Sequence, residues 1–169
     1  MRLTRVAQDE GVDVGPVVDE NEDRPLARRP ILSALAFEGG EPIAEARSAA
    51  RRFLTDVQAG HGIPVSDRAT GTAQMAVSEL VTNAYKYAPD PCLLDLEVSE
   101  GTVQISVWDA DPTLPACLAD PGRVGQHGLE IVMAVCQSFE VRREPVGKRV
   151  RAAIVLADGG DPAGRLPGR

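Results

Sequence analysis

Aromatic side chains are scarce in this sequence: one Trp, two Tyr and three Phe in 169 residues leave any core to Val, Leu, Ile and Ala. The three cysteines, Cys92, Cys117 and Cys136, stand in no CxxC or other metal-ligand spacing. Their odd number without a pattern favours reduced thiols in the cytosol over a disulfide framework. The two histidines, His61 and His127, take part in no Ser-His-Asp order, so a hydrolase triad is not read. No apolar run reaches the roughly 18 residues of a membrane span, and the N-terminus carries none of signal-peptide length. A soluble, cytoplasmic protein without a membrane partner is expected. Lys and Arg are the minority charge, 18 against 25 Asp and Glu, giving a net charge of −7. That balance argues against a general nucleic-acid-binding surface.

What is present suits one globular domain between two polar tails. The hydrophobic fraction is 43%, enough for a single core at this length. From Asp9 to Asp23 the chain holds Asp9, Glu10, Asp13, Asp19, Glu20, Glu22 and Asp23 and no basic residue. Residues 1–30 therefore read as a flexible acidic tail, with an arm for a basic partner as the functional alternative. The Gly/Pro-rich end, residues 158–169, reads as a disordered tail, leaving residues 31–157 as the domain.

Within the domain the elements follow from hydrophobic periodicity. "ILSALAF" (31–37) predicts a strand. Ile43, Ala46, Ala50, Phe53, Leu54 and Val57 recur at helical spacing between Pro42 and about residue 59. Ser66 is a candidate N-cap for a second helix, with Asp67 in its first turn and Pro89 and Pro91 beyond its end. "CLLDLEVS" (92–99) and "TVQISVWD" (102–109) alternate with period two around "EG", a hairpin signal. A loop with Pro112, Pro115, Pro121, Gly122 and Gly125 leads to an apolar helix over 127–138. Strands over 139–145 and 149–157 close the chain as a second hairpin turning at "VGK". The expected fold class is α+β: a two-layer sandwich with a mixed, mostly antiparallel sheet and helices on one face.

Four places carry polar groups suited to chemistry. On the second helix Glu79, Asn83 and Lys86 share one face at 100° per residue, while Met75, Val77, Leu80, Val81 and Ala84 serve the core side. A carboxylate, an amide oxygen and an ammonium in line suit a cation–phosphate site, and a solvated helix face also produces such a stripe. Asp109 ends a strand and enters the long loop, as a base or ribose acceptor would and as a turn former before Pro112 also does. Gly122, Gly125 and Gly128 precede the apolar helix, where free N–H groups attract anions. His127 lies there as a phosphate contact or as a plain helix-start residue. Gly147, Lys148 and Arg149 form a basic hairpin turn.

In this order, and with Asp109 26 residues beyond Asn83, the motifs resemble the nucleotide-binding domain of the gyrase/Hsp90/histidine-kinase (GHKL) ATPase superfamily. More narrowly the chain is similar to the bacterial anti-sigma-factor serine kinases and their actinobacterial ATP-binding relatives, over roughly residues 31–157. "AVSELVTNAYKYA" matches the family's N-box. The resemblance implies a Bergerat-type fold binding ATP and Mg²⁺. Glu79 would be the catalytic glutamate, Asn83 the Mg²⁺ ligand, and Lys86 a basic group near the phosphates. Asp109 would accept the adenine amino group. Gly125, Gly128 and Leu129 would belong to the lid, with His127 inside it, and Lys148 would stand near the nucleotide.

The resemblance further implies a protein serine/threonine kinase acting in transcription regulation. Its partners would be an anti-anti-sigma (STAS-type) protein as substrate and a sigma factor held inactive; both monomer and homodimer stay open. The alternative is a nucleotide-dependent interaction module with little or no transfer. Three departures bear on the choice. "DADPT" lacks the glycines of Asp-x-Gly-x-Gly, the lid reads Gly-Gln-His-Gly-Leu instead of Gly-x-Gly-Leu, and Arg149 replaces a Thr. With no phospho-acceptor histidine or dimerisation helix pair, a full histidine kinase is excluded.

Overall fold

The computed structural model describes residues 30–38, 42–87, 91–114 and 127–158. Strand β1 (Ile31–Phe37) precedes helices α1 (Ile43–His61) and α2 (Asp67–Tyr87). The hairpin β2 (Cys92–Ser99) and β3 (Thr102–Asp109) follows, then helix α3 (His127–Val135) and the hairpin β4 (Ser138–Arg143) and β5 (Lys148–Val155). The expected tails fall almost wholly outside the described residues, as does Gly125.

The sheet order is β1-β2-β3-β5-β4. Every pairing among the described strands is antiparallel, so the antiparallel character expected in part is complete. Alternation decides which face meets the helices. Leu94, Leu96, Val103, Ile105, Val107, Val150, Ala152 and Ile154 are buried, while Leu93 and Val155 between them stay exposed. Burying one such aliphatic side chain contributes about 1.5–3 kcal/mol, and α2 supplies the opposing surface with Ala73, Ala76, Val77, Leu80, Val81 and Ala84.

Local chemistry fixes the ends of these elements. Ser66 Oγ accepts the Ala69 N–H at 3.0 Å, the N-cap expected for α2. Helix α1 ends at Gly62, whose left-handed backbone (φ 64°) lets its N–H reach the Gln58 carbonyl. The β2–β3 turn has positive φ at both Glu100 (52°) and Gly101 (73°), as a two-residue hairpin turn with right-handed strand twist requires. Several boundaries differ from expectation: β4 ends at Arg143 instead of 145, and β5 begins at Lys148 instead of 149 and ends at Val155 instead of 157. Helix α3 stops at Val135 instead of 138, because the Gln137 N–H is taken by the Ala153 carbonyl at 2.8 Å and Ser138 already pairs with Ala153. Sheet pairing there outcompetes one more helical turn.

Ser66→Ala removes the cap of the helix that carries most of the core. Urea denaturation should show a loss of about 1 kcal/mol with an unchanged m-value.

Candidate functional site

Helix α2 runs from one end of the sandwich to the other, and its last turns carry the polar stripe. Glu79 is partly buried, Asn83 is 9% exposed, and Lys86, a turn further on, faces solvent. Beside Glu79 lies the start of α3. A Cβ added to Gly128 would overlap Glu79 Oε2, so only a residue without a side chain lets the carboxylate rest against this helix start. Leu129, the next residue, is 3% exposed and anchors α3 in the core, while His127 is the first residue of α3.

The other half of the site is built where β3 ends and β5 begins. Register pairs Asp109 with Lys148, so both side chains fall on the helix-covered face. Lys148 Nζ donates to Asp109 Oδ1 at 2.9 Å and to the Asp111 carbonyl at 3.0 Å, and lies 3.7 Å from Asp111 Oδ2. Both side chains of the Asp109–Lys148 pair are 1% exposed. The ammonium is thus turned onto Asp109 instead of outward. Gly147, with φ 75°, packs on the same place: a Cβ there would overlap the Asp109 carbonyl and meet Ala110 Cα.

The stretch directly after Asp109, Ala110 to Thr113, holds no glycine. Asp109 Oδ1 accepts the Asp111 N–H at 3.0 Å, and Asp111 Oδ1 accepts the Thr113 N–H at 2.9 Å, two successive side-chain turns. The Thr113 N–H, its hydroxyl and then Lys148 hold the Asp111 carboxyl below its ordinary range. Arg149 points the other way. It lies on the outer sheet face, 5.5 Å from the Trp108 ring centroid and 3.3 Å from Glu144. Lys148, not Arg149, is therefore the residue of this turn that faces Asp109.

Glu79, Asn83, Gly128, Asp109 and Lys148 thus lie toward one end of the molecule: the last turns of α2, the start of α3, the end of β3 and the start of β5. Sequence reading did not foresee that Gly147 is sterically bound to Asp109 or that Lys148 is its counter-ion. The "VGK" turn sets only the β4–β5 register, so no local signal carried the pairing of β5 with β3 that brings them together.

A model of the histidine kinase-like ATPase domain matches residues 42–154, which include every element from α1 to the end of the core in β5. The chain belongs to this family. No curated protein matches the chain. Among solved structures, the RsbU and RsbW domains of Rv1364c from Mycobacterium tuberculosis are similar to this ATPase domain with a TM-score of 0.52 and 19% identity. The match covers 73% of this chain and 32% of that one. At that identity the likeness is one of fold.

The donor set can be compared with what a Mg²⁺–nucleotide needs. Among the described residues no cluster of three His, Cys, Asp or Glu side chains is placed to hold a metal ion. Mg²⁺ bound with a nucleotide takes only one or two protein oxygens and completes its shell with phosphates and water. An asparagine oxygen one turn from a glutamate fits that demand. A protein-only cage does not.

The far end of the molecule holds a cavity of about 430 Å³, lined among others by Arg68, Thr72, Val135, Cys136, Ile154 and Val155. These residues come from the opposite ends of α2, α3 and β5, so this cavity is separate from the Glu79–Asp109 end. Burial pushes the Cys136 thiol up to about 11. Among the described residues no helix is long and apolar enough to cross a membrane.

The two glycines should respond differently to alanine. Gly147→Ala meets backbone atoms at a positive φ and should cost about 2–4 kcal/mol by thermal or urea unfolding. Gly128→Ala meets only the end of a flexible side chain, so stability should stay within about 1 kcal/mol while Glu79 is displaced. Peptide-resolved alkylation should find Cys136 roughly a hundredfold slower than a free thiol at pH 8, because a pKa raised by about two units leaves that much less thiolate. Its rate should climb as pH rises toward 11.

Proposed function

We propose that this domain binds ATP with Mg²⁺ at the Glu79–Asp109 end and works as a regulatory serine/threonine kinase of the anti-sigma type. The observation that carries the reading is the family match over 42–154 together with the gathering of Glu79 and Asn83 from α2 and Asp109 from the end of β3, two separated segments. Each has the chemistry its role needs. Asp109 offers a carboxylate oxygen to the adenine amino group at the buried end of the site. Asn83 offers a hard oxygen to Mg²⁺, which when bound would neutralise phosphate charge. Glu79 takes the proton from the attacking hydroxyl of a partner protein's serine as the γ-phosphoryl group is transferred. Lys86 answers phosphate charge from the rim, and the lid residues Gly125, His127 and Gly128 close over the phosphates. Most of the rate would come from positioning and electrostatics, as in other phosphoryl transfers.

The partners in this reading are an anti-anti-sigma protein as phosphate acceptor and a sigma factor as the protein held inactive. Likeness in fold to a structure containing an RsbW domain is in keeping with it. A second reading, a nucleotide-dependent interaction module without transfer, is favoured by the Gly-Gln-His-Gly-Leu lid, by Arg149 in place of a Thr and by the acidic stretch from Asp9 to Asp23. Under either reading the protein works in the cytoplasm, with residues 31–157 as its ATPase domain.

Calorimetry with ATP and Mg²⁺ should detect binding in the wild type; none at millimolar nucleotide overturns both readings. With labelled ATP and a cell extract, transfer to a partner should appear in the wild type. It should be lost in Glu79→Ala, which keeps ATP binding, and reduced in Gly128→Ala, which keeps wild-type stability. ATP binding without any labelled partner would leave the interaction module.

A further inference from the structure

The buried lysine has a consequence for base recognition. The Lys148 ammonium is turned onto Asp109 Oδ1 and the Asp111 carbonyl, with Asp111 Oδ2 3.7 Å away, so it is aimed at these acceptors and not outward. Asp109 Oδ1 is doubly engaged, by Lys148 Nζ and by the Asp111 N–H. Both bonds converge on one oxygen of the carboxylate and so fix its rotation about the Cβ–Cγ bond. Gly147 locks the same corner from the backbone side, since any side chain there would overlap the Asp109 carbonyl. The carboxylate that would meet a base is therefore oriented by two hydrogen bonds, one from β5 and one from the chain just after β3, while Gly147 packs on the backbone beneath it.

We propose that Lys148 is a positioning residue for nucleobase selection: by saturating Oδ1 it leaves Oδ2 of Asp109 as the oxygen presented to an incoming base. An oxygen held in that direction accepts from a 6-amino group and is repelled by a 6-oxo group. Lys148 thereby sets discrimination for adenine without touching it. The bond from Lys148 to the Asp111 carbonyl extends this order into the chain after β3, so the base-binding corner is formed before ligand arrives. A freely rotating carboxylate would be a weaker discriminator, since a site specifies a polar group only when its own partner is already aimed. The inference rests on the reading of Asp109 as the base acceptor, and its test separates the two.

The test compares binding of ATP with that of purine riboside triphosphate, which lacks the 6-amino group, and of GTP, all with Mg²⁺. The wild type should prefer ATP over the purine analogue by about tenfold or more, the discrimination expected for one aimed hydrogen bond. In Lys148→Met the preference should fall to within about threefold. The affinity lost on removing Mg²⁺, which reports on the phosphate end, should stay as in the wild type. A merely structural lysine would weaken both together or neither. In an Asp109→Asn background, adding Lys148→Met should change the preference by less than about twofold, because the residue acts through that carboxylate.

A folded Lys148→Met protein that keeps the wild-type preference overturns the proposal. If Lys148→Met does not fold, Lys148→Gln, which keeps a polar group in the corner but is one atom shorter than the lysine that holds Oδ1, takes its place, and a wild-type preference there overturns the proposal equally. A wild type that binds ATP without preference over the purine analogue overturns the base role of Asp109 and the role of Lys148 with it. A wild type that binds no adenine nucleotide overturns the ATP reading itself.

Discussion

A carboxylate and an ammonium, both almost fully excluded from water, face each other at 2.9 Å where β3 ends and β5 begins. Removing the ammonium alone would leave the Asp109 carboxylate without a counter-charge in a poor dielectric, a cost of about 3–5 kcal/mol for pairs of this kind. The pair therefore ties together two strands that are 39 residues apart in sequence. It lies at the one corner of the sheet where the chain leaves β3 for a long connection and returns for its last strand. The shape of that corner, including the packing of Gly147 on the Asp109 carbonyl and the two side-chain turns through Asp111 and Thr113, is built around this contact.

The rest of the site hangs on α2. That helix is the central layer element, packed on α1, α3 and the inner face of the sheet, so its polar stripe is aimed by the same residues that make the core. Leu80, Val81 and Ala84 are buried and interleave with Glu79 and Asn83. Rotating the helix to move one set would expose the other. The start of α3 meets this stripe through Gly128, where the missing side chain makes room for the Glu79 carboxylate. Two of the close approaches in the site thus use a glycine for the same reason, although only Gly147 has a positive φ.

Much of the fold was legible beforehand. The period-two segments gave both hairpins, Ser66 gave the α2 cap, and the N-box gave the stripe. Errors fell where short-range rules compete. Helix α3 was read too long, since the apolar run continues past Val135, and only the Ala153 carbonyl across the sheet claims the Gln137 N–H. The strand parity of Lys148 and Arg149 was missed for a related reason. Two basic neighbours at a turn look equivalent until pairing with β3 sends one inward and the other over Trp108.

The sequence alone determined element type, the amphipathic faces of α1 and α2, and the spacing that marks the chain as a histidine kinase-like ATPase domain. Those features depend on local periodicity and on residues a few positions apart. Only the tertiary structure decided that Lys148 belongs to Asp109, that Gly147 is required by the backbone against it and Gly128 makes room for Glu79, and that a cavity lies at the opposite end. Such facts depend on register and on contacts between segments tens of residues apart. Local propensity carries no information about them, because a one-residue shift in pairing reverses which face a side chain occupies.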